Sequence, residues 1–193
     1  LKILINKTNP NYIINCSAVT DIDYCEKNKK NCRRINTEIL KKIFNIKKKD
    51  NLNFKLIHFS TDQMYNNTSL RSGKEILRPV VNNYYTKTKI MSEGICLKNQ
   101  ALIFRTNFFG YSKKGITFSQ WVVNKFKNKE KFFLVDDVFF NPLSLTTIGK
   151  IIHQIIKNDL YFSGIFNIGT KDKISKKNFA IKYAKLAKVY KKN

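Results

Sequence analysis

The chain reads as an α/β protein built on a mainly parallel sheet. Short apolar segments at residues 12–16 (YIINC), 55–59 (KLIHF), 101–105 (ALIFR) and 164–167 (GIFN) read as buried strands. Stretches of helical period separate them, the alternation expected of a parallel sheet with crossover helices. At 193 residues, 42% hydrophobic and 13% aromatic, the chain is long enough to bury a core.

In order, residues 1–7 read as the end of a helix. The strand at 12–16 is approached through Asn9-Pro10. Residues 26–48 read as a helix with Ile35, Ile39, Leu40, Ile43 and Phe44 on one face, and Lys47-Lys48-Lys49 as its solvated end. The strand at 55–59 runs out into Ser60-Thr61-Asp62, and 61–83 reads as a loop holding Gly73 and Pro79. A helix over 84–99, with a face that includes Ile90, Met91 and Ile95, leads to the strand at 101–105. After Gly110 the character changes. Residues 118–127 read as a helix, 132–135 as a strand, and Asn141-Pro142 opens a new element. Ile148, Ile151, Ile152, Ile155 and Ile156 follow helical spacing. The strand at 164–167 is turned by Gly169, and Ser175 suits the N-cap of a last helix through Ala180, Tyr183, Ala184 and Ala187. The expected division is residues 1–110 and 111–193, the second region interleaved with the last sheet strand.

Lys plus Arg number 37 against 13 Asp plus Glu, a net charge of +24. Alone, that balance suggests a nucleic-acid partner. Only Arg33, Arg34, Arg71, Arg78 and Arg105 are arginines, however, and the chain is crowded with Lys, Asn and Ile, the residues of AT-rich codons. The lysines are spread over every segment, and base reading favours arginine. No nucleic-acid partner is therefore expected. Cys16, Cys25, Cys32 and Cys96 form no C-x-x-C pair and the only histidines are His58 and His153, so neither a metal site nor a disulfide framework is indicated. Reduced thiols in a cytoplasmic protein are expected. No apolar run approaches the roughly 20 residues of a membrane span, and no signal-peptide pattern opens the chain.

Tyr85 and Lys89, four apart, share a helix face. An ammonium there would favour the phenolate and make Tyr85 an acid or base usable near neutral pH. With nine tyrosines in a lysine-rich chain, roughly one to two chance Y-x-x-x-K matches are expected. The chain holds this one alone, and by itself it reads as an exposed helical turn. Its setting changes that reading. Ser60 and Thr61 end an apolar strand, and ligands of open α/β sheets bind at the carboxyl ends of strands. A hydroxyl there can hold a carbonyl oxygen beside the Tyr85 phenol; the ordinary alternative for Thr61 is a turn residue.

The segments YIINCSAVTDIDYCE, INTE, HFSTDQMY, YTKTKIMSE, ALIFRTNFFG and FNIG follow one another in this order. Together the set resembles the extended short-chain dehydrogenase/reductases, most of all the dTDP-4-dehydrorhamnose reductase-like group of nucleotide-sugar enzymes, over about residues 9–187. The resemblance implies a Rossmann-like sheet, an NAD(P)H cofactor and a nucleotide-sugar substrate. Residues 1–110 would be the later part of the cofactor-binding domain, and 111–193 a substrate-binding region. Thr61, Tyr85 and Lys89 match the catalytic set. Tyr85 would protonate the alkoxide, Thr61 would orient the carbonyl, and Lys89 would hold the nicotinamide ribose and tune Tyr85. Ser17, Ala18 and Val19 match the segment that lies against the cofactor, to which Tyr85 and Lys89 also contribute. Thr20, Thr61, Asp62, Asn107 and Phe108 match the substrate cleft, and Asn36 matches a family asparagine in the helix at 26–48. The resemblance leaves a homodimer open.

The departures are equally specific. The family's G-x-x-G-x-x-G loop, which cradles the cofactor pyrophosphate, has no counterpart, since all seven glycines lie at Gly73 or later. The resemblance therefore implies that about 40–50 residues of βαβ structure are missing before Leu1. A chain without them is expected to bind NAD(P)H poorly and to be inactive. Asp62-Gln63 replaces the Asp-Glu pair of sugar dehydratases, which disfavours 4,6-dehydration. Gln63 stands where the reductase has Tyr, Phe108 where it has Trp, and Thr86 where it has Gly. Reduction of a nucleotide-linked 4-keto sugar for surface polysaccharide synthesis is the expected activity. Epimerisation of a nucleotide sugar and a non-catalytic binding subunit remain as alternatives.

Overall fold

The computed structural model describes residues 1–65, 79–113 and 117–190. Gly73 lies outside the described residues. The strands are β1 (Tyr12–Asn15), β2 (Lys55–Thr61), β3 (Leu102–Thr106), β4 (Phe108–Phe109), β5 (Phe139–Phe140), β6 (Leu143–Ser144), β7 (Gly164–Ile168) and β8 (Ile174–Ser175). The helices are α1 (Lys2–Thr8), α2 (Ile22–Lys27), α3 (Lys29–Arg33), α4 (Ile39–Lys49), α5 (Tyr84–Lys98), α6 (Phe118–Lys127), α7 (Leu145–Lys157) and α8 (Lys176–Leu186), with a π-helical turn at Arg34–Glu38 between α3 and α4. The chain divides into two units. One comprises Leu1–Thr106 and Gln154–Ile168, the other Asn107–His153 and Gly169–Asn193.

The first unit is an α/β Rossmann-like layer. Its sheet is fully parallel in the order β1-β2-β3-β7. β2 is central and nearly continuous in burial, as strands covered on both faces are. Leu40, Ile43 and Phe44 of α4 close one side of the sheet over Phe54, Leu56 and Ile103, and Ile5 of α1 joins them. β7 begins at Gly164, whose φ of +136° suits glycine alone.

The expected single helix at 26–48 is instead a broken series. It starts earlier, because Asp21 caps α2 by accepting from the Tyr24 N–H at 2.9 Å. It breaks at Asn28, whose φ/ψ of −123°/50° is not helical. The π turn then points Asn36 and Thr37 inward, where both are fully buried.

α5 also differs from expectation. Ile90, Met91 and Ile95 are only partly buried. The buried face carries Tyr85, Thr86, Thr88, Lys89, Ser92, Glu93 and Cys96. A polar face can be buried where each group finds a partner. Here those partners stand on β2, β3 and the π turn. Asn83 and Thr86 form a reciprocal capping box that fixes the start of the helix one residue before Tyr85.

In the second unit, Val122 of α6 and Ala180 and Ala184 of α8 form a small core. Phe118, Trp121, Phe126 and Phe132 pack around it ring against ring. Residues 132–135 are not a strand. Phe132 lies edge-on to Trp121 and Phe126, both at 5.2 Å, while Phe133 is fully exposed. Packing of one ring outweighs a β-propensity that no neighbouring strand satisfies. The strand lies later, at β5, paired antiparallel with β8. Ser175 caps α8 by accepting from the Asn178 N–H.

Among the described residues no helix is long and apolar enough to cross a membrane.

Candidate active site

The site forms in the first unit, at the carboxyl ends of β1 and β2 and along the buried face of α5. Thr61 is the last residue of β2, and its hydroxyl lies near the Tyr85 phenol. Thr61 Oγ1 also accepts the Gln63 N–H at 3.2 Å, which holds it at the turn. Tyr85 is buried against Cys25 and Cys32. Burial pushes its phenol up to about 12, and the nearby Asp62 carboxylate adds to that, while the Thr61 hydroxyl pulls the other way. The expected lowering of Tyr85 is therefore not found. The phenol keeps its proton at neutral pH, the state a proton donor needs.

Lys89 follows one turn on and is 2% exposed. Its ammonium donates to the Phe59 carbonyl at 2.5 Å and lies 3.3 Å from His58 Nε2. Burial lowers it to about 8.

The segment after β1 is held at two points. Asn15 Oδ1 accepts from the Ser17 hydroxyl at 2.6 Å and from the Ser17 N–H at 3.3 Å. Asn36 Oδ1 accepts the Val19 N–H at 2.7 Å, and its amide group donates to the Val19 carbonyl and to Thr88 Oγ1, both at 3.0 Å. Asn36 thereby joins the loop 17–19 to α5. Ser17 and Thr20 are exposed, and Ala18 and Val19 partly so. Asp62 is half-buried beside Thr61.

Ser17, Ala18, Val19, Thr20, Thr61, Asp62, Tyr85 and Lys89 thus all belong to the first unit. Asn107 and Phe108 belong to the second. There the Asn107 carbonyl accepts the Leu143 N–H at 2.9 Å and Phe108 pairs with Leu143 in the β4–β6 ladder.

Sequence reasoning did not single out three sets of residues. His58 and Ser92 stand against Lys89, and the signal was a histidine set in an otherwise apolar strand. Glu93, one helical turn past Lys89, forms a buried ion pair with Arg105. Tyr65 accepts from Arg105 Nη1 at 2.9 Å and donates to Asn167 Oδ1 at 2.7 Å, tying β3, β7 and the turn after β2 together.

Comparison with known proteins places the chain in a family and shows related folds. A family model described as the RmlD substrate binding domain matches residues 1–193. The chain is 28% identical over 159 residues to a dTDP-4-dehydrorhamnose reductase of Escherichia coli, covering 79% of this chain and 51% of that protein. Its fold is similar to that of a hypothetical dTDP-4-dehydrorhamnose reductase from Sulfolobus tokodaii, with a TM-score of 0.82 and 27% identity over 96% of this chain and 64% of that one. It is also similar to a dTDP-4-dehydrorhamnose reductase from Bacillus anthracis solved in complex with NADP, with a TM-score of 0.85 and 24% identity over 100% of this chain and 67% of that one. The chain spans about half the length of the curated relative it matches. On the match along its whole length, the chain belongs to the RmlD substrate binding domain family, within the superfamily of nucleotide-sugar reductases and epimerases.

Proposed function

We propose that the protein carrying this chain reduces the keto group of a nucleotide-linked 4-keto sugar, using NAD(P)H. The observation that carries this reading is the Tyr85 phenol, protonated and buried near the Thr61 hydroxyl at the carboxyl end of the central strand, with Lys89 one turn away. Thr61 Oγ1 and the phenol form a pair of polar groups suited to one carbonyl oxygen. As a hydride reaches the carbonyl carbon, the oxygen becomes an alkoxide and takes the Tyr85 proton. The Lys89 ammonium on the same helix face stabilises the phenolate left behind. Asp62-Gln63 supplies no glutamate for proton abstraction, which supports reduction over dehydration.

The residues present fit the nicotinamide end of the cofactor. Ser60 Oγ is buried beside Thr61 without a hydrogen-bond partner among the described residues, which is the state of a group awaiting a ligand. Lys89 donates to a carbonyl and makes no ion pair among the described residues. Ser17, Ala18 and Val19, with Tyr85 and Lys89, would hold the cofactor, which when bound supplies the hydride. Its NAD(P)-bound relatives in this fold support that choice.

The test is an assay of the protein with NADH or NADPH and a panel of nucleotide-linked sugars. Oxidation of one cofactor per keto sugar consumed is expected, with none when the keto group is absent. Net consumption of a 4-hydroxy sugar with no change in cofactor would point to epimerisation instead.

A further inference from the structure

His58 sits in β2 three residues before Thr61 and is fully buried. Its ring meets three groups. Nδ1 is 3.1 Å from Asn15 Nδ2, while Nε2 is 2.9 Å from Ser92 Oγ and 3.3 Å from Lys89 Nζ. These neighbours decide where the ring proton sits. A backbone N–H only donates, so the Ser17 N–H fixes Asn15 Oδ1 on its own side and turns the Asn15 NH2 toward the ring. That NH2 also only donates, so Nδ1 must offer a lone pair. A neutral ring then carries its proton on Nε2. Ser92 suits that proton, because its own hydroxyl hydrogen goes to the Lys89 carbonyl at 2.6 Å and its lone pairs remain free to accept. Burial and the neighbouring ammonium both keep the ring uncharged.

We propose that His58 is a positioning residue for Lys89: fixed by Asn15 with its proton on Nε2, it shows the ammonium an N–H and not a lone pair. A lone pair at that place would take a second of the ammonium's protons. With an N–H there, the Phe59 carbonyl is left as the one protein acceptor that the ammonium reaches among the described residues. Its other protons are left for the ligand side of the site. Asn15 and His58 connect Ser17, in the loop assigned to the cofactor, to Lys89. The remaining titratable groups facing Lys89 are Cys16 beyond β1, Cys32 on α3, and Glu93 and Cys96 on α5, and all four favour the charged amine. The inference about Lys89's task rests on the reading given under Proposed function, whereas the position of the ring proton does not.

Long-range 1H–15N correlation spectra of the histidine-labelled protein, with neither cofactor nor sugar, test it. Within this chain the only other histidine is His153, exposed on α7, which serves as an internal reference. His58 is expected to show an unprotonated Nδ1 and a protonated Nε2, unchanged from pH 5 to 9. Asn15→Asp places an acceptor opposite Nδ1 with almost no change of shape. It should put a proton on Nδ1, turn the Nε2 lone pair to Lys89, and move the titration of the Lys89 amine upward by about one pH unit. A purely structural role for Asn15 predicts no change of the His58 tautomer; the tautomer decides, because the new carboxylate also raises the Lys89 titration by its charge alone. A wild-type ring protonated on Nδ1, a titrating His58, or an Asn15→Asp ring with Nε2 still protonated would overturn the proposal. The wild-type spectrum decides even if Asn15→Asp does not fold. Failure of the keto-sugar assay would sink the proposed function while leaving the tautomer and the Lys89 titration to be read separately.

Discussion

Arg105 on β3 and Glu93 on α5 form a two-pronged ion pair, Nε to Oε1 at 2.9 Å and Nη2 to Oε2 at 2.7 Å, with both side chains at least 96% buried. This pair ties the helix that bears Tyr85 and Lys89 to the sheet. Removing one partner strands a buried charge. Glu93→Gln is therefore expected to cost about 3–5 kcal/mol in a denaturant titration. Changing both residues to apolar ones of similar size should cost far less, because the uncompensated charge disappears with its partner. A Glu93→Gln loss below 1 kcal/mol would contradict this account of the pair.

Burial of the Lys89 amine costs stability. The amine is lowered from an ordinary 10.5 to about 8 by burial. Below pH 8 both folded and unfolded chains hold the proton, and the folded state bears the full cost of the buried charge. Between 8 and 10.5 the unfolded chain holds more protons, so stability rises with pH across that window. The shift corresponds to a cost on the order of 3 kcal/mol at pH 7. Lys89→Met should thus stabilise the fold at pH 7 by about 1–3 kcal/mol, once the lost bond to the Phe59 carbonyl is counted. That gain should shrink above pH 10, while turnover is lost at every pH. Stability measured at pH 7 and pH 10 checks both parts.

Ser60 makes the opposite separation visible. Its hydroxyl is buried and unpartnered among the described residues, so Ser60→Ala should leave stability unchanged or raise it by about 1 kcal/mol. If the hydroxyl meets a ligand, the KM for cofactor or sugar should rise in the same variant. A Ser60→Ala protein that is less stable with unaltered KM would show that the hydroxyl serves the fold alone.

Where apolar period and burial coincide, the sequence was easy to read. All four strands of the parallel sheet are apolar segments, β2 and β3 nearly continuously buried, and each lies within two residues of its expected bounds. Ser175 is the N-cap it was expected to be. The reading failed where polar groups do the packing. Asn28 and the π turn at Arg34–Glu38 interrupt a helix whose apolar period runs straight through them, because Asn36 must reach Val19 and Thr88. The buried face of α5 is polar, so a search for apolar spacing selects the wrong side. His58 was invisible for the same reason: one polar residue in an apolar strand becomes informative only when Asn15, Ser92 and Lys89, far apart in sequence, meet around it. The shared helix face of Tyr85 and Lys89 was legible from their spacing, but the direction of the Tyr85 shift depended on burial, which spacing does not report.

The central claim is that Tyr85 gives the proton to the reduced carbonyl. Tyr85→Phe keeps the ring that packs on Cys25 and Cys32 and removes only the hydroxyl. Measured with saturating NAD(P)H and a nucleotide-linked 4-keto sugar, its kcat is expected to fall by about 10²–10⁴ with cofactor affinity unchanged. A Tyr85→Phe protein that turns over at the wild-type rate would contradict the account.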